Sequence, residues 1–186
     1  MEIGTEELPG GVTLRLAAPS DASALCAAYV ENRDFLAPWE PRRPEGFFTV
    51  EGQAELLEVR MREFTEGRLV PWVFDSRDRI AGTIMLTGIT LGPFCSAYLG
   101  YWVAADHQGH GLATAAVQQV CRIARDSVGL HRIEATTLLD NTRSQRVLEK
   151  CGFEPIGTAP RYLHVNGEWR DHRMFQRILH DDDLRL

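Results

Sequence analysis

The sequence has 186 residues, 44% hydrophobic and 25% charged, which suits one globular domain with room for a core. Its net charge of -6, from 26 acidic and 20 basic residues, lacks the basic footprint that nonspecific nucleic-acid binding needs. No apolar run approaches the roughly 20 residues that cross a bilayer, and the acidic N-terminus lacks a signal-peptide pattern, so the cytoplasm is the expected compartment.

Residues 1–11 are expected as a loose leader. Alternation predicts a strand over 13–17, and Pro19-Ser20-Asp21 starts a helix that runs to about Asn32. The segment 35–44 holds three prolines and Trp39, a stiff aromatic loop. A second helix fits 50–66, with Leu56, Leu57, Met61 and Phe64 as its apolar stripe and Gly67 as its stop. Strands follow over 70–75 and 79–87, joined by Ser76-Arg77-Asp78, and then over 95–104 after Gly92-Pro93. Leu112, Ala116, Val120 and Ile123 share one face of a helix over 112–126, which Gly129 ends. A strand over 132–138, a helix over 141–150 and strands over 154–158 and 172–179 complete the chain, and 181–186 is expected as a solvated tail. The predicted order is β-α-α-β-β-β-α-β-α-β-β, a mixed α/β sheet with helices on both faces in a single domain over 1–186.

Chemistry concentrates where the strand at 95–104 turns into the helix at 112. The connecting loop reads Gln108-Gly109-His110-Gly111-Leu112-Ala113. Unpaired N–H groups and the helix dipole make this helix start an anion site, and glycines admit close approach of a pyrophosphate. A tight turn needing glycine is the plain structural alternative. Leu112-Ala113 stand where a P-loop needs Lys and then Ser or Thr, and no early βαβ unit supports a dinucleotide fingerprint.

Gln-x-x-Gly-x-Gly/Ala at the head of a helix resembles the acyl-CoA pyrophosphate loop of the GNAT N-acetyltransferases. Asn141-Thr142-Arg143-Ser144 leading to Cys151-Gly152-Phe153 resembles that family's Asn-x-x-Ser and Gly-Phe element. The stretch from Glu31 to Pro41, Tyr98-Leu99-Gly100-Tyr101, and Asn166-Gly167-Glu168-Trp169 are similar to the RimJ and RimL branch, whose members acetylate the N-terminal amine of ribosomal proteins.

The resemblance implies a mostly antiparallel sheet that splays at the acetyl-CoA strand. It implies acetyl-CoA as co-substrate, with pantetheine along Tyr101, Trp102 and Val103, pyrophosphate on the N–H groups of Gly109, His110, Gly111, Leu112 and Ala113 beside Gln108, and Asn141 on the cofactor amides. Ser144 is the implied partner of the leaving thiolate, though a serine in a first helical turn also serves the backbone. The branch's glutamate before the Asn-Gly turn has no counterpart in Arg161-Tyr162-Leu163-His164-Val165, so Glu40 is the candidate in its place. Trp39, Glu40 and Tyr98 are the expected acceptor contacts. The acceptor is a protein N-terminus in the leading reading and a small amine in the next; a non-catalytic acyl-CoA sensor is the reading from another class. No metal is expected, since His107 and His110 lack the rest of a zinc helix, and Cys26, Cys95, Cys121 and Cys151 fit reduced, buried thiols. Neither nucleic acid nor membrane is expected as a partner, and the chain is expected as a monomer or homodimer.

Overall fold

The structure, a computed structural model, describes residues 3–77 and 79–182. The expected turn residue Asp78, the first two leader residues and the tail from 183 onward lie outside the described residues. The strands are β1 (Glu6–Leu8), β2 (Val12–Leu16), β3 (Leu69–Ser76), β4 (Arg79–Thr90), β5 (Ser96–Val103), β6 (Arg132–Leu138), β7 (Glu154–Val165) and β8 (Glu168–Ile178). The helices are α1 (Ala22–Glu31), α2 (Arg33–Leu36), α3 (Val50–Thr65), α4 (Leu112–Ile123) and α5 (Thr142–Lys150). They build one eight-stranded sheet in the order β1-β2-β3-β4-β5-β6-β8-β7. Every adjacent pair is antiparallel except β5 with β6.

β3 is buried along its first six residues, so it reads as a continuous apolar run rather than an alternating one. Its side chains still divide by parity. Trp72 and Phe74 pack with Leu112, Ala116, Val117 and Val120 of α4 and Leu148 of α5. Val73 packs with Leu25 of α1, Leu57 of α3 and Trp102 of β5 on the other face. Helices thus cover both faces of the sheet. α3 is capped by Thr49, whose hydroxyl accepts from Gly52 N–H at 3.1 Å. α4 runs into one π-helical turn, Ala124–Val128, and stops at Gly129.

Two expectations change. Glu6–Leu8, assigned to the leader, forms a strand antiparallel to β2 with Leu8 buried. Three residues are too few to show alternation, but Pro9-Gly10-Gly11 was a readable hairpin turn. The last two strands also extend toward each other into a long hairpin closed by Asn166-Gly167. β7 is a sheet edge exposed along nearly its whole length, with bulges at Pro155/Gly157 and Ala159/Leu163. With neither face covered, it carries no hydrophobic period.

The sheet opens at one place. β5 stays paired with β4 as far as Val103 but with β6 only from Ser96 to Leu99. β6 runs on beside β8 to Leu138. The two strands therefore part after Leu99 and Ala135, and α4 and α5 both start beside the gap. β4 is drawn tightly against β5 here: Gly82 has φ 148°, and a Cβ at that position would lie 2.2 Å from the carbonyl oxygen of Trp102. Gly82→Ala should lower stability by about 1–3 kcal/mol in urea unfolding. An unchanged midpoint would mean that the two strands can move apart freely.

Candidate active site

Ala104 N–H donates to Ala81 O at 2.7 Å, and Gly82 pairs with Val103. Antiparallel pairing alternates, so the backbone groups of Gly100 and Trp102 face β4 while those of Tyr101 and Val103 face the gap. Trp102 was expected to hold pantetheine through its backbone. That part is corrected: Tyr101 and Val103 supply the free strand edge. Val103 O is already engaged by the Gln108 side chain at 2.7 Å. The edge therefore offers two N–H donors and one carbonyl.

Gln108 also ties the glycine loop back to β5. Gly109 and Gly111 have φ of 81° and 78°, and left-handed Gly111 is the N-cap of α4 without any side-chain cap. The first N–H groups of α4 are left open at the positive end of its dipole. Leu112 is buried in the core, so its part in an anion site is limited to its N–H. His110 is exposed, and half-buried His107 sits 2.7 Å from Asp106. That contact holds the Asp106 carboxyl below its ordinary range against a small opposing effect of burial. No group of three or more His, Cys, Asp or Glu among the described residues could hold a metal.

A cavity of about 600 Å³ fills the gap, lined by Trp39, Tyr101, Trp102, Val103, Gln108, Ala113, Asn141 and Ser144 among others. Asn141 caps α5, its Oδ1 accepting from Ser144 N–H at 3.1 Å. Ser144 Oγ lies 2.9 Å from the phenol of Tyr101. Burial pushes the Tyr101 phenol well above its usual range, with Ser144 opposing, so it stays protonated. The hydroxyl pair was not anticipated. Alternation along β5 would have given it, because Tyr101 shares the inward face of Leu99 and Val103. Trp102 is buried on the other side, donating Nε1–H to Tyr29 OH at 3.0 Å. Asp34, Phe35, Leu36 and Pro38 also line the cavity, so the stiff loop forms one wall of it.

Two expected residues stand elsewhere. Tyr98 is 41% exposed and lies on the α1/α3 face of β5. Glu40 does not line the cavity: its carboxylate is 3.6 Å from Arg43, and its carbonyl accepts from Asn166 N–H at 3.2 Å. A larger concavity of about 830 Å³ lies at the opposite end of β5, beside Cys95, His131 and His180. It has neither a free strand edge nor the α4 N-terminus, the two features that the smaller one combines.

The Acetyltransferase (GNAT) domain family matches residues 12–154. The chain belongs to the GNAT acetyltransferase family. It is 37% identical over 166 residues to a probable N-acetyltransferase, YjcK, of Bacillus subtilis, covering 88% of this chain and 91% of the relative. It is 35% identical to the [ribosomal protein uS5]-alanine N-acetyltransferase of Escherichia coli, covering 87% and 84% of the two chains. Mycobacterium smegmatis RimJ, solved in complex with CoA-disulfide, superposes with a TM-score of 0.88 at 34% identity, covering 94% and 86%. The enzyme is an acetyl-CoA-dependent N-acetyltransferase, and the free edge of β5 and the open start of α4 suit a pantetheine arm and a pyrophosphate.

Glu40 carries a consequence for pH. Burial raises its carboxyl above the ordinary range, with Arg43 opposing. A carboxyl harder to ionise in the folded chain than in the unfolded chain destabilises the fold once it is charged. That cost is absent at acid pH, where both states are protonated, and is fully present above the folded-state pKa. Glu40→Gln should therefore melt above the wild type at neutral pH, with the difference vanishing below about pH 4. A neutral-pH melting point below wild type would show that the Arg43 contact outweighs burial.

Proposed function

We propose that the enzyme acetylates the N-terminal amine of a protein. The observation that carries this is the openness of the acceptor side. Tyr98 and Tyr162 are 41% and 38% exposed, and Trp39 stands at the mouth of the cavity, 39% exposed. Such an open aromatic face suits an extended peptide end better than a small cation, which needs an enclosing anionic pocket. The uS5-alanine acetyltransferase among the relatives supports the same acceptor class.

The residues divide the work as follows. The N–H groups from Gly109 to Ala113 hold the pyrophosphate. Tyr101 O and Val103 N–H pair with the pantetheine arm, and the free amide of Asn141 reaches the same arm. An N-terminal amine has a pKa of about 8, so a sizeable neutral fraction exists near pH 7 to 8 without a strong base. Its nitrogen forms a bond to the thioester carbon, and Tyr101 N–H receives the developing oxyanion. As the C–S bond breaks, the sulfur takes the Ser144 hydroxyl proton, and Tyr101 supports Ser144 from behind. The nitrogen releases its surplus proton to solvent, and Ser144 is reprotonated. Glu40 orders the acceptor loop through Arg43 and Asn166.

A thiol-release assay with acetyl-CoA should show turnover with N-terminal peptides that exceeds turnover with polyamines. Release with polyamines and none with peptides would sink the proposal, and binding of acetyl-CoA without any turnover would make the chain a sensor. Ser144→Ala should lower kcat by about 10- to 100-fold while acetyl-CoA affinity holds. Tyr101→Phe should lower it in the same direction by less. Unchanged turnover in Ser144→Ala would remove the serine from the mechanism.

A further inference from the structure

Gly100 sits in the interior of β5, where glycine weakens a strand. Nothing in the fold requires it. Its φ is not in the left-handed region, and a Cβ built there meets no atom within 4 Å. This is the reverse of Gly82, three pairs away on β4, where backbone would collide with any side chain. Glycine at position 100 therefore leaves room that the folded chain itself does not use.

The position of that room is specific. Parity places Tyr98, Gly100 and Trp102 on the α1/α3 face of the sheet, opposite the face of Tyr101 and Ser144. Gly100 is the first β5 residue past the last pair with β6, and its neighbour Tyr101 presents the free N–H into the gap. A nucleophile and a leaving group need different approaches to one carbonyl carbon. Ser144 and Tyr101 occupy the leaving-group side, and bare backbone at Gly100 opens the other.

One anion stands at the rim of this opening. Glu134 is directly across from Tyr98 on the parallel strand and is only 8% exposed. Its Oε1 pairs with Arg132 at 2.5 Å. No other hydrogen bond to its carboxylate is made among the described residues. Tyr162 of β7 is near enough to both Tyr98 and Glu134 that their charges raise its phenol, after burial as the larger cause.

We propose that Gly100 is the port through which the acceptor amine reaches the thioester, and that Glu134 at its rim draws in the amine as its ammonium ion. This rests on the reading of the enzyme as an amine acetyltransferase. The ammonium gives its proton to water at the open port, and the neutral nitrogen then attacks over Gly100. Tyr98 and Tyr162 flank the incoming chain.

The test is a graded pair of variants, Gly100→Ala and Gly100→Val, with Glu134→Gln alongside. Gly100→Ala should not lower the melting temperature, because the added Cβ meets nothing within 4 Å, and β-branched valine suits a strand. Acetyl-CoA affinity, measured by calorimetry, should stay within about twofold of wild type. Acceptor kcat/KM should fall stepwise, by roughly tenfold or more for valine. Glu134→Gln keeps the shape and an acceptor for Arg132 but loses the charge; it should raise acceptor KM severalfold and leave kcat and acetyl-CoA KM alone. An active Gly100→Val enzyme with wild-type acceptor kcat/KM overturns the port, as does a loss of acetyl-CoA binding that accounts for the fall. Unchanged acceptor KM in Glu134→Gln overturns its role. Failure of the functional reading would show instead in the wild-type protein, as no CoA release with any amine.

Discussion

The parting of β5 from β6 after Leu99 and Ala135 is the constraint on which the rest of the site depends. A strand that loses its neighbour exposes N–H and C=O groups that must find other partners. Here they belong to Tyr101 and Val103, and they open into a cavity and not to bulk solvent. The same divergence sets the start of α4 at one side of the gap and the start of α5 at the other. One irregularity in an otherwise continuous sheet thus yields a strand edge, an anion site and a capped serine within a single cleft.

The cleft separates two tasks by the two faces of β5. Tyr101 points to the α4 side, where its protonated phenol meets Ser144. Trp102 points to the other side and anchors to Tyr29 of α1. Asn32, just beyond α1, accepts from Ala105 N–H at 2.9 Å, so the start of the glycine loop is also fastened to that helix. Packing on the α1 side therefore fixes the backbone that borders the cavity on the other side.

Much of this is legible in the sequence. The glycine loop, α4 and the Asn141 to Ser144 turn stood out because helix starts and phosphate loops use fixed residue types at fixed spacing. Elements that bury little were harder. β1 has three residues, and β7 is exposed on both faces, so neither shows a period. Glu40 drew notice as a carboxylate in a stiff loop, yet sequence has no means of showing that its oxygens turn to Arg43. Which backbone groups of β5 face the gap was also hidden, because that depends on pairing parity with β4. Trp102 was named along with Tyr101 and Val103, although its backbone groups face β4. Glu134 was passed over because one carboxylate in an apolar strand shows its value only when the facing strand supplies Tyr98.

The bond from Gln108 to Val103 O works as a measuring stop. A chain that adds to a sheet edge can slip by one residue and still find partners, unless one position is already filled. With Val103 O taken by the enzyme's own side chain, an arriving arm finds only a single arrangement of donors and acceptor. The edge that remains, two N–H groups and the Tyr101 carbonyl, is thereby asymmetric, and the fold itself has settled which backbone groups of β5 stay open.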